Sequence, residues 1–128
     1  MPPALAARHY QKAAVSGDVQ AQYALGLLYY DGKGVNRDLL VAVKWFTAAA
    51  NNGNTSAQYN LGAMYQDGEG ISKDVIQAYA WYSIAAFQSA RADSAAQSLG
   101  EKLTADELSK AKALITQHAK PTGKGTGQ

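Results

Sequence analysis

Two glycine-rich strings, Asp31-Gly32-Lys33-Gly34 and Asp67-Gly68-Glu69-Gly70, are where ligand chemistry would first be sought in this chain of 128 residues. A phosphate loop places its glycines between a strand and a helix, and its nucleoside-triphosphate form adds a Lys-Ser or Lys-Thr pair. Here the glycines follow a helical pattern and that pair is missing. A calcium loop needs several oxygen-bearing side chains within a dozen residues, and only one acidic group precedes the first glycine of each string. Both strings therefore read as turns that end helices. His9 and His118 are the two imidazoles and have no partner at metal-ligand spacing, so each reads as a surface or packing residue. Ser16, Ser72 and Ser83 have no histidine and acid arranged around them in the sequence as a nucleophile would need. Asp106 and Glu107 follow Thr104 at a helix start, where capping and the helix dipole account for them. Asn54-Thr55-Ser56 has the form of a glycosylation acceptor, which matters only in a eukaryotic secretory setting. Trp45-Phe46 and Trp81-Tyr82 could stack on a sugar or base, but their recurrence at helical positions reads as packing between helices. No catalytic residue, cofactor or metal ligand is expected.

Composition narrows the classes further. Twelve basic and ten acidic residues are scattered without a run of one sign, so nucleic acid is not an expected partner. The chain has no cysteine, which removes disulfides, thiolate catalysis and cysteine-based metal sites together. No stretch approaches the roughly 20 apolar residues of a membrane helix, so membrane insertion is not expected either. The opening Met1-Pro2-Pro3-Ala4-Leu5 lacks the basic flank and apolar run of a signal peptide, and the expectation is a soluble protein whose compartment stays open.

What must position any site is a repeat. Shifting the sequence by 36 places aligns Ala21-Gln22-Tyr23 with Ala57-Gln58-Tyr59, Leu25-Gly26 with Leu61-Gly62, Tyr29 with Tyr65, and Asp31-Gly32 and Gly34 with Asp67-Gly68 and Gly70. Asp38, Ala42, Trp45 and Ala49-Ala50 continue the match onto Asp74, Ala78, Trp81 and Ala85-Ala86, fourteen identities in all, which is a solenoid signature. Helical spacing of Ala21, Leu25, Leu28 and Tyr29 predicts a first helix near 19–31, meeting its partner helix through that stripe. The second helix is predicted near 39–51, with Asp38 at its N-cap; in the next unit Asp74 and Gln77 form a variant capping box. Gly26 and Gly62 fall mid-helix, where glycine costs about 1 kcal/mol relative to alanine, so another helix is expected to cross there at close range. Residues 4–17 form a half repeat that begins at its second helix, 18–53 and 54–89 are full repeats, 90–118 form capping helices, and 121–128 are a loose tail. Thr104-Ala105-Asp106-Glu107 is a capping box, with Leu103, Leu108, Ala111, Leu114 and Ile115 as the apolar set of the last helix.

The string from Ala21 to Ala50, Ala-x-Tyr-x-Leu-Gly-x-x-Tyr-x-x-Gly-x-Gly-Val followed by Asp and Ala-x-x-Trp-Phe-x-x-Ala-Ala, closely resembles the Sel-one-like repeat, a relative of the tetratricopeptide repeat. Ala57 to Ala86 fits as well, with Ile71 for Val and Trp81-Tyr82 for Trp-Phe, while His9 stands in place of the Trp and Ser89 in place of the helix-ending Gly. The resemblance implies an all-α, right-handed superhelix of α/α hairpins whose first helices line a concave face. It also implies an adaptor or scaffold of bacterial type, in periplasm or cytoplasm, with no catalytic residues.

On that basis the expected function is a non-catalytic module presenting a groove to a peptide or protein; a helical-repeat enzyme or ligand carrier is the alternative. The first-helix stripe opposite Ala21 and Leu25 supplies the expected groove: Gln20, Tyr23, Leu27 and Tyr30 in one unit, Ser56, Tyr59, Ala63 and Gln66 in the next. Tyr23 and Tyr59 recur and read as structural. Leu27 and Tyr30 change to Ala63 and Gln66 and read as anchors, with Gln66 as a polar reader. The incomplete first unit predicts an apolar edge on the N-terminal helix, open to another chain, to self-association or to an earlier repeat.

Overall fold

The computed structural model describes residues 2–119, and all regular structure there is helical. Seven helices follow in order: α1 Pro3–Val15, α2 Val19–Asp31, α3 Leu39–Asn51, α4 Thr55–Asp67, α5 Val75–Ala85, α6 Ala90–Gly100 and α7 Ala105–Ala119. Each helix from α1 to α3 starts 36 residues before its counterpart two helices later; the side-chain caps of α2 and α3 recur on α4 and α5, whereas Pro2 before α1 makes no such bond. The tail expected at 121–128 lies outside the described residues.

Helix ends follow from single side chains. Asp18 and Asn54 open α2 and α4 by accepting from the amides of Ala21 and Ala57 at 2.9 and 2.8 Å. Asp38 and Asp74 open α3 and α5, where each also donates its own amide to Tyr29 or Tyr65. That second bond corrects the expected Asp74 and Gln77 box: Asp74 accepts from the amides of Ile76 and Gln77, but its own N–H goes to the Tyr65 carbonyl, not to the Gln77 side chain. The box at Thr104 and Glu107 is complete, with bonds of 2.9 and 3.1 Å in both directions. Gly32 and Gly68 end α2 and α4 in the left-handed conformation. Two residues on, Gly34 and Gly70 are also left-handed and lie against the first residue of the helix before the hairpin, Pro3 or Leu39. A Cβ on Gly70 would sit 2.7 Å from the Leu39 carbonyl oxygen. The loop can settle there only with glycine.

Alanine and glycine let the helices come close. A Cβ on Gly26 would lie 2.7 Å from the ring of Phe46, and one on Gly62 would lie 2.8 Å from the ring of Tyr82. The expected close crossing is therefore made by an aromatic ring from the second helix of the same hairpin. The stripe of Ala21, Leu25, Leu28 and Tyr29 does not serve that contact alone. It packs on Tyr10, Ala13 and Ala14 of α1 as well as on Trp45 of α3, because each first helix is held between the second helix before it and the one after it. The central core joins the buried Phe46, Ala49 and Ala50 of α3 to Ala57, Leu61 and Met64 of α4. Gln22 and Gln58 are buried polar residues, and each donates its amide, at 3.2 Å, to a carbonyl in the last turn of the preceding second helix, Ala14 or Ala50.

The repeat is rebuilt at its C-terminal end. Position 89, at the end of the second full repeat, holds Ser where the half repeat and the first full repeat end with Gly17 and Gly53 at positive φ. Ser89 is extended and caps α6 through its hydroxyl, so α5 is shortened to 11 residues. Gly100 approaches the Tyr79 ring of α5, and α7 also packs on α5. There the His118 ring stacks on Trp81 with centroids 4.2 Å apart. Trp81 is thus core, as expected, while Trp45 is half-buried. At the other end α1 leaves Leu5 50% and Val15 70% exposed.

Two outcomes follow from this packing. Gly26→Ala gains about 1 kcal/mol of helix propensity, but it drives a methyl into a fully buried ring, and overpacking costs about 1–3 kcal/mol. The expected result is a net loss in urea melts that turns into a gain when Phe46 is first cut to Leu; stabilisation in the unmodified chain would contradict the account. Burial lowers the pKa of His118 below its ordinary 6.5, and its Nε2 has no hydrogen-bond partner among the described residues. A depressed histidine favours folding above the unfolded value, and this contribution fades as pH falls below about 6.5. The urea midpoint should fall more steeply on acidification than in His118→Gln, and parallel curves for the two proteins would remove His118 from the balance.

Candidate functional site

The first helices α2, α4 and α6 lie side by side and run the same way. Two cavities show this: one joins the C-terminal halves of α2 and α4, the other joins the N-terminal parts of α2, α4 and α6. The first has a volume of about 250 Å³. Its floor is the buried Phe46 and Met64, its walls are Leu27 and Ala63, and its rim carries Tyr30, Asp31, Asn60 and Glu69. The second, about 320 Å³, is lined by Tyr23 and Tyr59 with Asn60 and Arg91, and by the hydroxyls and amide of Thr55, Ser56, Ser89 and Gln88.

Six of the eight residues expected in the groove therefore line a cavity: Leu27, Tyr30 and Ala63 the first, Tyr23, Ser56 and Tyr59 the second. Gln20 and Gln66 do not. Gln20 is exposed beside Asn54, whose Nδ2 lies 3.5 Å from its Oε1. Gln66 accepts the hydroxyl of Tyr82 at 2.7 Å, so its carbonyl is engaged in holding the hairpin. In the preceding unit the same two positions are Tyr30 and Phe46, whose rings pack at 6.5 Å. These two positions thus change as a pair, ring on ring in one hairpin and hydroxyl to amide in the other.

Tyr30 joins packing to the groove. Its hydroxyl donates to the carboxylate of Glu69 at 3.0 and 3.2 Å across 39 residues of sequence, tying α2 to the loop after α4. That donation, with burial and the carboxylate charge behind it, holds the Tyr30 pKa above its ordinary value. Arg37 donates its Nε to the Tyr30 carbonyl at 2.8 Å and places its guanidinium 5.7 Å from the ring centre. Tyr23 packs against Phe46 and Tyr59 against Tyr82, at 5.9 and 5.5 Å, and the Arg91 guanidinium lies 4.5 Å over the Tyr59 ring. Burial, with Tyr59 and Asp67 nearby, pushes the Tyr82 hydroxyl up to about 12. Tyr30 and Tyr82 are therefore neutral donors near neutral pH.

Sequence reasoning missed Asn60, which lines both cavities and makes no side-chain hydrogen bond among the described residues. The available signal was its position, since Asn60 stands where the first unit has Ala24. Glu69 and Arg91 were missed because both reach the groove from outside the stripe. Among the described residues there is no group of three His, Cys, Asp or Glu that could hold a metal, and no helix is long and apolar enough to cross a membrane.

The Tyr82 and Gln66 pair yields a double-mutant test. Gln66→Ala leaves the hydroxyl of the buried Tyr82 without its acceptor, an expected loss of about 1–2 kcal/mol in denaturant melts. Adding Tyr82→Phe, the residue type found in the first unit, should recover most of it; additive losses would show that the bond carries no coupling.

A model of the Sel1 repeat matches the chain three times, over residues 3–18, 19–54 and 55–86. No curated protein matches it. Two solved bacterial structures are similar. One is a protective antigen of uropathogenic Escherichia coli with an SLR fold, 29% identical over 95% of this chain at a TM-score of 0.84. The other is a Sel1 repeat protein from Oxalobacter formigenes, 41% identical over 70% of this chain at a TM-score of 0.69. The chain spans only 30% and 26% of their lengths. With three units that together cover well over half of its residues, and the helical solenoid they build, the chain belongs to the Sel1 repeat family, whose repeats generally serve as protein-interaction modules.

Proposed function

We propose that the face formed by α2, α4 and α6 is a groove that binds a peptide or a segment of a partner protein, and that the protein acts as a scaffold without catalysis. The observation that carries the reading is the pair of cavities joined at Asn60. They line the side of the solenoid where parallel helices leave polar side chains above an apolar floor. Recognition sites of this kind combine a few apolar anchors with sparse polar groups that fix orientation. The enzyme alternative gains nothing from the site: its titratable groups are tyrosines, Asp31, Glu69 and Arg91, of which Tyr30 and Glu69 are hydrogen-bonded to each other, and neither His9 nor His118 lines it. The outer side of α1, with Leu5 and Val15 exposed, is the second surface able to take a partner or another copy of the chain.

Asn60→Arg discriminates between these surfaces, because it fills the junction of the two cavities with little expected effect on packing. Affinity capture from extracts of the source cells, followed by mass spectrometry, should give partners that the variant loses while its melting temperature is unchanged. Capture that survives Asn60→Arg and disappears in Leu5→Glu would move the site to α1 and overturn the groove.

A further inference from the structure

The groove has a polarity, and from it we infer its occupant: an extended peptide segment that seats a lysine or arginine side chain in the cavity between α2 and α4 and sets an acidic side chain or free C-terminal carboxylate beside Arg91. This rests on the groove reading above. The cavity between α2 and α4 is built in two layers. Phe46, Met64, Leu27 and Ala63 offer apolar surface to an aliphatic stem, while Asp31 and Glu69 stand at the rim as carboxylates. That is the arrangement a long basic side chain fits, since its methylenes bury and its charged head stays near water. Neither carboxylate forms an ion pair among the described residues. The single ion pair among the described residues is Lys110 with Asp106 on α7, and the nearby Arg37 commits its Nε to the Tyr30 carbonyl. Glu69 accepts the hydroxyl of Tyr30 and has no cationic partner among the described residues. An apolar occupant would cover both carboxylates without a partner, at the cost of desolvating them. An acidic occupant would meet like charge.

The other end of the groove has the opposite sign. Arg91 forms no ion pair among the described residues and places its guanidinium over the Tyr59 ring, beside the hydroxyl-rich N-termini of α4 and α6. Asp93, one residue beyond its neighbour, accepts from Gln97 along its own helix. The backbone adds to this. Because α2, α4 and α6 are parallel, their dipoles reinforce one another, positive where Arg91 stands and negative where α2 and α4 end near Asp31 and Glu69. Between the two ends Asn60 presents one donor group and one acceptor, the complement of a peptide unit in an extended backbone.

A random octapeptide library with free C-termini, panned on the full chain, tests the occupant directly. The expected enrichment is Lys or Arg at one position with Asp, Glu or the C-terminus at another. Binding of an enriched peptide should weaken with added salt and fall about tenfold or more when Asp31→Asn and Glu69→Gln are combined. Glu69→Gln keeps an acceptor for Tyr30, so the melting temperature should hold. The decisive arm is exchange: Glu69→Lys should prefer the same peptide with its basic residue changed to Glu. Enriched peptides that lack a basic position, or that bind equally after both carboxylates are neutralised, would overturn the basic occupant; they leave the groove in place if Asn60→Arg still abolishes binding. A library that yields no binder, while a cellular protein is still captured in an Asn60-dependent way, overturns the peptide occupant alone. Peptide binding and cellular capture that both ignore Asn60→Arg overturn the groove as well.

Discussion

Each hairpin closes on an aromatic ring that takes the space a Cβ would fill. Phe46 lies against Gly26 and Tyr82 against Gly62, so close that any other residue in the glycine position would have to displace a buried ring. A contact of this kind leaves the two helices no freedom to slide, because a shift of one residue would bring a side-chain carbon onto the ring. It fixes the register of the hairpin and with it the neighbours of the ring: Tyr23 and Tyr30 around Phe46, Tyr59 around Tyr82. The outer edges of those same tyrosines line the groove. The shape of the recognition surface therefore descends from a missing methyl group on its far side.

Stacking one hairpin on the next uses a different chemistry. A second helix ends with carbonyls that have no partner inside the helix, and the buried Gln22 and Gln58 reach back to one of them, Ala14 or Ala50. The glycine loop of the same unit comes down on the first residue of that preceding helix, Pro3 or Leu39. Each preceding helix is thus held near both ends by the unit that follows, once by a side-chain amide and once by backbone contact. Apolar burial supplies the bulk of the stabilisation in such arrays, but burial alone does not choose an angle. These two polar and steric contacts, 36 residues apart in successive units, do.

What could be read from the sequence is what recurs. The period, the helix bounds of the first full unit, the capping aspartates Asp38 and Asp74, the close approach at Gly26 and Gly62 and the core position of Trp81 all follow from identities at one offset. The recurrence of Tyr23 and Tyr59 marked them as structural, and they do flank the hairpin rings. What varies was harder to interpret. Tyr30 against Gln66 looked like freedom from an architectural rule, yet it is one half of a paired change whose other half is Phe46 against Tyr82. Offset comparison examines one column at a time, so it cannot show that two columns touch. Asn60, Glu69 and Arg91 escaped for a related reason. They meet the groove only through contacts between units, and Glu69 joins Tyr30 across 39 residues.

Packing and recognition are consequently carried by opposite edges of the same side chains. Tyr30 holds Phe46 with one part of its ring, reaches the next unit through its hydroxyl and lines the cavity with what remains. A molecule seated there would touch the groups that set the spacing of the hairpins, so its binding free energy would add to the stability of the whole stack. The reverse also holds. A change at Tyr30 alters folding and affinity together and cannot apportion them. Asn60 sits between the cavities and makes no side-chain hydrogen bond among the described residues, which separates the two effects. In a stack of hairpins held by such contacts, a residue that faces the ligand without holding the stack is the informative one.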